Sequence, residues 1–236
     1  MPRTAQVATA TQTTAGKTHL RADAHRNREQ VLLAARDVFI EQGPGAPLDD
    51  IARRAGVGIA TLYRRFPDRQ ALIRALAFEL WVDGGREARL ALTEEPDAFR
   101  ALARYMHRAL DLRIAAAMPA LVGQLPLQDE DGRRARDDAV APVQAIIDAA
   151  QTEGTLRPDV AFADIGLMLI RLSRPLQPFD RTVNDSLAHR HLELLLDGLR
   201  ADRASLTLPG PAVTLDGLRA VARDAEQAAV TTLPAK

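Results

Sequence analysis

Apolar residues in the first part of the chain recur three and four positions apart, the spacing of an amphipathic helix. The pattern begins near Ala22, where Asp23 is placed to cap the first turn, and it ends at Gly43, which several prolines follow. The residues on the apolar face are Val31, Leu32, Ala35, Val38 and Phe39. The pattern therefore predicts one helix followed by a firm break.

Two short helices around a glycine turn are predicted next. Asp49 and Asp50 suit the first turn of the earlier helix, because the positive end of the helix dipole favours carboxylates. The run Gly56-Val57-Gly58 predicts a tight turn, and a second short helix follows from about Ile59 to Phe66. Asp68 then caps a longer connecting helix.

The remaining residues read as longer amphipathic helices, and no segment predicts a strand. The predicted helices begin at Asp97, Asp137 and Asp159 and at Asn184 or Asp185, and a small terminal helix covers Leu215–Gln227. Ala and Leu, both strong helix formers, are abundant, and aromatic residues are only 4% of the chain. The predicted fold class is all-α, with an N-terminal three-helix unit and a C-terminal helical domain.

Composition narrows the possible functions. The chain of 236 residues has no cysteine, which excludes disulfides, a cysteine nucleophile and thiolate zinc sites. No apolar run is long enough for a membrane span, and no secretory signal is visible, so a cytoplasmic protein is expected. Residues 1–75 carry 12 Lys and Arg against 7 Asp and Glu. This basic balance indicates a polyanionic partner for the N-terminal part.

The run from Leu48 to Ile73 resembles the signature of the tetracycline-repressor (TetR) family of bacterial regulators. Its Ile-Ala, Ala-Gly-Val, Thr-Leu-Tyr, Phe-Pro and Ala-Leu pieces stand at the family spacing, and the resemblance covers roughly residues 25–80. The resemblance implies a helix-turn-helix that docks on DNA. The expected organisation is a disordered leader at 1–20, a DNA-binding domain at 21–75, a ligand-binding and dimerisation domain at 76–205, and an extension at 206–236.

The resemblance also implies roles for individual residues. Tyr63 would contact a phosphate, and Thr61 would contact either a phosphate or a base edge. Leu62 and Phe66 would belong to the core. Arg53 and Arg54 are interpreted as solvated residues of the support helix. Pro47 stands where the family often has Thr, so that phosphate contact is expected to be absent. The expected DNA-binding residues are Arg21, Arg26, Gly58, Ala60, Thr61, Tyr63, Arg64, Arg65 and Arg69, with Arg28 as a further arm residue.

For the C-terminal part, the family architecture implies a homodimer on a palindromic operator and a small-molecule effector. The helices at Asp159–Leu172 and Asp185–Leu199 are the candidates for dimerisation, although both could instead be monomer core. The pair Gly84-Gly85 could kink or end the connecting helix. Candidate ligand contacts, which could equally be core, are Trp81, Phe99, Tyr105, Met106, His107, Met118 and Leu121.

Other kinds of site find little support. His189 and His191 are two positions apart and do not share a helix face, so no metal site is expected there. No catalytic constellation and no phosphate-cradling loop is present, so an enzyme is the least favoured class and no cofactor is expected. An all-helical protein-interaction module without specific DNA binding remains an alternative to the DNA-binding regulator. Activation in place of repression also remains open.

Overall fold

The computed structural model describes residues 26–122, 130–203 and 207–210, together with the single positions 214, 217 and 220. These residues are helical with connecting turns and contain no strand, which confirms the all-α prediction. They form two compact units, divided between Leu76 and Ala77. No helix of the described ranges is long and apolar enough to cross a membrane.

The first unit contains three helices and the start of a fourth. Helix α1 covers 26–42, and Gly43 follows it with a positive φ of 85°, as the predicted break requires. Helices α2 (Leu48–Arg54) and α3 (Ile59–Arg65) are short, and α4 (Arg69–Glu94) begins behind a cap in which Asp68 accepts the N–H of Ala71 at 2.6 Å. The core of the first unit is formed by fully buried side chains that include Val31, Leu32, Phe39, Ile51 and Leu62.

The second unit contains most of α4 and five further α-helices. These are α5 (Ala98–Asp111), α6 (Ile114–Val122), α7 (Glu130–Thr152), α8 (Phe162–Leu172) and α9 (Arg181–Leu199), followed by a short 3₁₀ helix at Ala201–Arg203. Asp97 caps α5 as predicted, since its carboxylate accepts the N–H of Arg100 at 2.8 Å. Helix α5 lies at the centre, in contact with α6, α7, α8 and α9. The buried core is built around Leu102, Met106, Ile146, Ile147 and Leu192.

Three helices begin earlier or later than the sequence predicts. Helix α7 begins at Glu130, not Asp137, so Pro142 lies in its interior. Helix α8 begins at Phe162 behind the N-cap residue Ala161, whose N–H donates to the carboxylate of Asp164 at 2.8 Å, and Asp159 forms an ion pair with Arg157 before the helix. Helix α9 begins at Arg181 behind the cap residue Asp180, whose carboxylate accepts the N–H of Val183 at 2.9 Å.

Asn184 has a different role from the helix start that the sequence suggested. Its Nδ2 donates to the carbonyls of Leu176, Phe179 and Asp180, and its Oδ1 accepts the N–H of Leu176 at 2.8 Å. The side chain therefore holds the loop between α8 and α9 in shape from inside the first turn of α9.

The glycine pair Gly84-Gly85 neither ends nor interrupts α4, which runs unbroken through it. A Cβ at Gly85 would lie 3.0 Å from the Cα of Ala139 and 3.4 Å from the carbonyl oxygen of Asp138, both on α7. The missing side chain therefore allows the backbones of α4 and α7 to approach closely.

Some predictions fall on residues that the structure does not describe. They are the leader at 1–20, Arg21, the start of the first helix near Ala22, and most of the predicted terminal helix Leu215–Gln227. The domain limits given above stay predictions.

Candidate functional site

A glycine turn sets the arrangement of α2 and α3. Gly56 has a φ of 69°, in the left-handed region that side chains with a Cβ rarely adopt. Its N–H donates to the carbonyl of Arg53 at 3.2 Å, and the N–H of Val57 donates to that of Ala52 at 3.0 Å. The chain therefore ends α2 and reverses within four residues before α3 begins at Ile59.

Helix α3 has one buried side and one exposed side. Leu62 is fully buried and Phe66 is 4% exposed, which confirms that both belong to the core. Thr61 is half-buried, and the rest of the predicted contact set on this element is exposed: Gly58, Ala60, Tyr63, Arg64 and Arg65. The amphipathic spacing of α3 thus places the predicted DNA-binding residues on the side away from the core.

The arginines of α2 and α3 differ in how they are paired. Arg53 lies 2.7 Å from the carboxylate of Asp50, and Arg54 forms a two-pronged pair with Glu41 of α1, with one N–O distance of 2.9 Å. The hydrogen bond to Glu41 raises the pKa of Arg54 above its usual range. Among the residues described, Arg64 and Arg65 form no ion pair. The free cations of the helix-turn-helix are therefore on α3, where an external anion can reach them.

Arg69, at the start of α4, has an internal role that the sequence did not reveal. Its Nη1 donates to the carbonyl of Pro44 at 2.9 Å and to that of Ala46, so it ties the loop between α1 and α2 to α4. Its contact with phosphate stays a prediction. Pro47 occupies the N-cap of α2 and provides no side-chain hydrogen bond there. Arg26 is exposed on α1, whereas Arg21 lies outside the described residues.

A cavity of about 520 Å³ lies between α4 and α7 in the second unit. Its apolar wall includes Phe78, Trp81 and Val82, and its polar groups come from Arg89, Arg134, Asp131 and Asp138. Arg134 forms an ion pair with Glu130 on the same helix. The combination of aromatic surface and a few polar groups suits a small organic molecule.

Of the seven predicted ligand contacts, only Trp81 lines this cavity. Phe99 and Met106 are buried in the core around α5, and Leu121 is fully buried. Tyr105 packs against the same core, and burial raises its pKa to about 12. Core and cavity positions share one spacing pattern, so periodicity alone does not separate the two roles.

His107 and Met118 complete the predicted ligand set. Met118 is half-buried on α6, and His107 forms hydrogen bonds with His189 and Glu193 of α9. None of the predicted ligand residues other than Trp81 lines the α4–α7 cavity, and ligand contact by the whole set stays a prediction. In the described ranges, no group of three or more His, Asp or Glu side chains is arranged to hold a metal ion.

Comparison with known proteins extends the resemblance beyond the helix-turn-helix. Residues 31–76 match the family of bacterial regulatory proteins of the tetR type, and residues 97–201 match the C-terminal domain of SbtR-like transcriptional regulators. No curated protein matches the chain.

Several solved structures are similar over nearly their whole length. A TetR transcription regulatory protein from Mycobacterium vanbaalenii is 38% identical, with a TM-score of 0.50, and the match covers 77% of this chain and 99% of that one. A TetR regulator from Streptomyces coelicolor is 35% identical, with a TM-score of 0.50 and coverage of 73% and 98%. LfrR from Mycobacterium smegmatis, solved in complex with proflavine, is 24% identical with a TM-score of 0.58 and coverage of 78% and 99%, and it shows the fold alone.

The helix-turn-helix with its exposed, unpaired arginines agrees with these comparisons, which cover both units. The chain belongs to the TetR family of transcriptional regulators, which are DNA-binding proteins and not enzymes.

Proposed function

We propose that the protein is a cytoplasmic repressor that binds a palindromic operator as a homodimer and is released from it by a small-molecule effector. The observation that carries the DNA-binding part is the outward side of α3. Tyr63, Arg64 and Arg65 are exposed there and have no partner among the described residues, while Leu62 and Phe66 fix the helix to its support.

The chemistry of these side chains suits double-stranded DNA. A guanidinium donates two parallel hydrogen bonds to a guanine edge in the major groove, or to a phosphate. The tyrosine hydroxyl of Tyr63 can donate to a phosphate oxygen, which sets the position of the helix without reading sequence. Arg53 and Arg54 already have carboxylate partners, so they contribute less net positive charge at this surface.

An apolar surface on α8, α9 and the loop between them supports the homodimer. We call this set of residues the α8–α9 stripe: Leu187 is half-buried, and the other members are exposed, namely Leu167, Leu176, Phe179, Val183 and Leu194. Val183, Leu187 and Leu194 recur at helical spacing along one side of α9, and Leu194 is 68% exposed. Large apolar patches on an isolated chain typically mark an interface. The buried residues Leu192, Leu196 and Leu199 lie on the other side and belong to the monomer core.

The cavity between α4 and α7 supports the effector part of the proposal. It has the volume of a small-molecule site, and Trp81 and Phe78 offer flat apolar surface for a ring system. Helix α4, which forms one wall, also runs into the first unit at Arg69. Occupation of the cavity by an effector is linked to DNA affinity if the two ligands favour different positions of this helix.

The DNA-binding part is tested by fluorescence anisotropy with the DNA upstream of the protein's own gene, over a range of salt concentrations. We expect the double variant Tyr63→Ala, Arg64→Ala to weaken specific binding by about tenfold or more, since a base or phosphate contact contributes about 1–3 kcal/mol. Arg100→Ala is the matched control. It removes one exposed arginine from α5 in the other unit, and binding should stay unchanged.

Loss of a phosphate contact should also lower the salt dependence of binding by about one ion per contact. Unchanged specific binding by the double variant would contradict the assignment of α3. If the wild-type protein binds no DNA even at low salt, the alternative of a helical protein-interaction module replaces the repressor.

A further inference from the structure

The loop between α1 and α2 consists of residues 43–47, which read Gly-Pro-Gly-Ala-Pro. The prolines have no N–H to donate, and the glycines allow the backbone a wide range of conformations. Within the described part of the chain, one backbone hydrogen bond lies inside this loop, from the N–H of Ala46 to the carbonyl of Gly43 at 3.2 Å. The backbone of the loop therefore does little to hold its own shape.

Two carbonyls of this loop are held by a side chain of α4. No backbone N–H of the described residues donates to the carbonyls of Pro44 and Ala46. Nη1 of Arg69 donates to both, at 2.9 Å to Pro44 and 2.5 Å to Ala46, so the two carbonyls take up both of its N–H bonds. Ala46 is 4% exposed, and a carbonyl buried without a donor is unfavourable. Arg69 therefore supplies hydrogen bonds that the loop cannot supply itself.

The loop also sets where α2 begins. Pro47, the N-cap residue, makes no side-chain hydrogen bond, and its carbonyl accepts the N–H of Asp50 at 3.1 Å. At the other end of α2, Arg54 pairs with Glu41 of α1. Helix α2 is thus braced at its start through Arg69 and the loop, and at its end through Glu41. Because α2 packs against α3, its position sets the direction in which the exposed side of α3 points.

The guanidinium of Arg69 is less free to bind an external anion than the guanidinium groups of α3 are. Arg69 is half-buried, whereas Arg64 and Arg65 are exposed. Arginine commonly binds a phosphate with two parallel N–H bonds, from both Nη atoms or from Nε and one Nη. With Nη1 bound to the loop, Arg69 cannot offer its two Nη atoms together. The structure therefore favours binding of the loop as the role of this side chain.

We propose that Arg69 is a positioning residue of the helix-turn-helix, which holds the α1–α2 loop and the start of α2 in place for DNA binding without contacting DNA itself. The proposal rests on the DNA binding by α3 proposed above. Lysine should not replace this arginine, although it keeps the charge, because its side chain is one bond shorter and its nitrogen does not reach the position of Nη1. The alternative is the phosphate contact that the sequence predicts for Arg69.

The first test is hydrogen–deuterium exchange of the full chain without DNA, measured by mass spectrometry. We expect the amides of residues 45–50 to exchange about tenfold faster in Arg69→Met and in Arg69→Lys, because the loop opens more often once both hydrogen bonds are lost. Arg74→Met, which removes an exposed arginine from the same helix, is the matched control and should exchange like the wild type. Wild-type exchange of this segment in either variant of Arg69 would overturn the proposal.

Peptides from the middle of α1, residues 30–39, show whether the first unit stays folded, since Val31, Leu32 and Phe39 belong to its core. We expect their exchange to stay unchanged in all three variants. If Arg69→Met unfolds the unit, Arg69→Lys decides, because it is the milder change. Unfolding by both would overturn the proposal, since Arg69 would then support the whole unit and not the loop.

The second test measures the salt dependence of binding to the DNA upstream of the protein's own gene by fluorescence anisotropy. We expect Arg69→Met and Arg69→Lys to weaken specific binding by about fivefold or more while keeping the salt dependence of the wild type. Arg64→Met should instead lower that dependence by about one ion. Wild-type affinity for either variant of Arg69, or a fall of about one ion for Arg69→Met, would overturn the proposal.

The two tests separate this proposal from the proposed function. If the wild type binds no DNA, the proposed function fails, and exchange still decides whether Arg69 holds the loop. If Arg64→Met weakens DNA binding and the variants of Arg69 do not, the proposed function stands and this proposal fails.

Discussion

At the scale of single residues, Asp159 connects three stretches of chain. Its carboxylate accepts from Nε of Arg157 at 2.6 Å and Nη2 at 2.8 Å, and from the N–H of Leu208 at 2.9 Å. The N–H of Arg157 in turn donates to the carbonyl of Leu199, the last residue of α9. These bonds, the one from Arg157 foremost, hold the pKa of Asp159 well below its usual range. One carboxylate thus joins the loop after α7 to the end of α9 and to the segment 207–210.

We expect Asp159→Asn to destabilise the protein at neutral pH and to make its stability less sensitive to acid. Because the folded-state pKa is lowered, the carboxylate stabilises the fold above the ordinary aspartate pKa of about 3.9, and this contribution is lost as the pH falls towards the folded-state value. Thermal unfolding between pH 2 and 7 should show the two proteins converging at the acid end. Asp202→Asn, whose carboxylate makes only a 3.5 Å contact with Arg200, is the matched control. Parallel curves for wild type and Asp159→Asn would refute this role.

Local signals predicted some residue roles and missed others for a physical reason. Asp68 and Asp97 were predicted as caps, because a cap depends on residues within one helical turn. Asp159 was predicted as the start of a helix, but its carboxylate instead accepts hydrogen bonds from Arg157 and from the N–H of Leu208, which lies 49 positions away. The pairing of His107 with His189, 82 positions apart, leaves no trace in the spacing of residues.

At the scale of elements, the two neighbouring glycines of α4 face different surroundings. A Cβ at Gly85 would meet backbone of α7 at 3.0 Å, whereas a Cβ at Gly84 would meet only the flexible Cδ1 end of Ile114, at 3.4 Å. Alanine is favoured over glycine within a helix by about 0.5–1 kcal/mol. An alanine at Gly84 therefore changes helix propensity alone, whereas an alanine at Gly85 also changes the packing against α7.

We expect Gly84→Ala to be neutral or to stabilise the protein by up to about 1 kcal/mol, through helix propensity. Gly85→Ala should instead lower the free energy of unfolding by about 1–2 kcal/mol, because the backbones of α4 and α7 must move apart and overpacking outweighs propensity. Urea unfolding of both variants measures the difference. If Gly85→Ala stabilises the protein as much as Gly84→Ala does, the contact between α4 and α7 has room for a Cβ and the packing argument is wrong.

The presence of the helices could be predicted from the sequence better than the residues at which they begin and end. The two short helices of the helix-turn-helix and the inward placing of Leu62 followed from periodicity and from the glycine turn at Gly56. The α4–α7 cavity did not follow, because α7 begins seven residues before its predicted start at Asp137, and its early turns provide Asp131 and Arg134. A cavity wall depends on which helices pack together, and periodicity within one helix does not contain that information.

At the scale of the whole molecule, the α8–α9 stripe is the surface on which the proposed dimer depends. We expect Leu194→Arg to raise the dissociation constant of the dimer by about 100-fold or more, because a charge would be buried without a partner. Analytical ultracentrifugation measures the change, and operator affinity should fall in parallel since specific binding needs two half-sites. Leu92→Arg, at an exposed leucine of α4, is the control. A Leu194→Arg protein that sediments like the wild type would place the interface elsewhere.

Trp81 is the single tryptophan of the chain, and it lies on the wall of the α4–α7 cavity. Excitation at the red edge of protein absorbance therefore excites this one indole selectively. A compound that enters the cavity would change the surroundings of this indole, so we expect its emission to shift without any label attached. If the proposed effector binds in this cavity, Trp81 reports its binding, and a library of compounds can be screened by tryptophan fluorescence before any of them is tested on DNA.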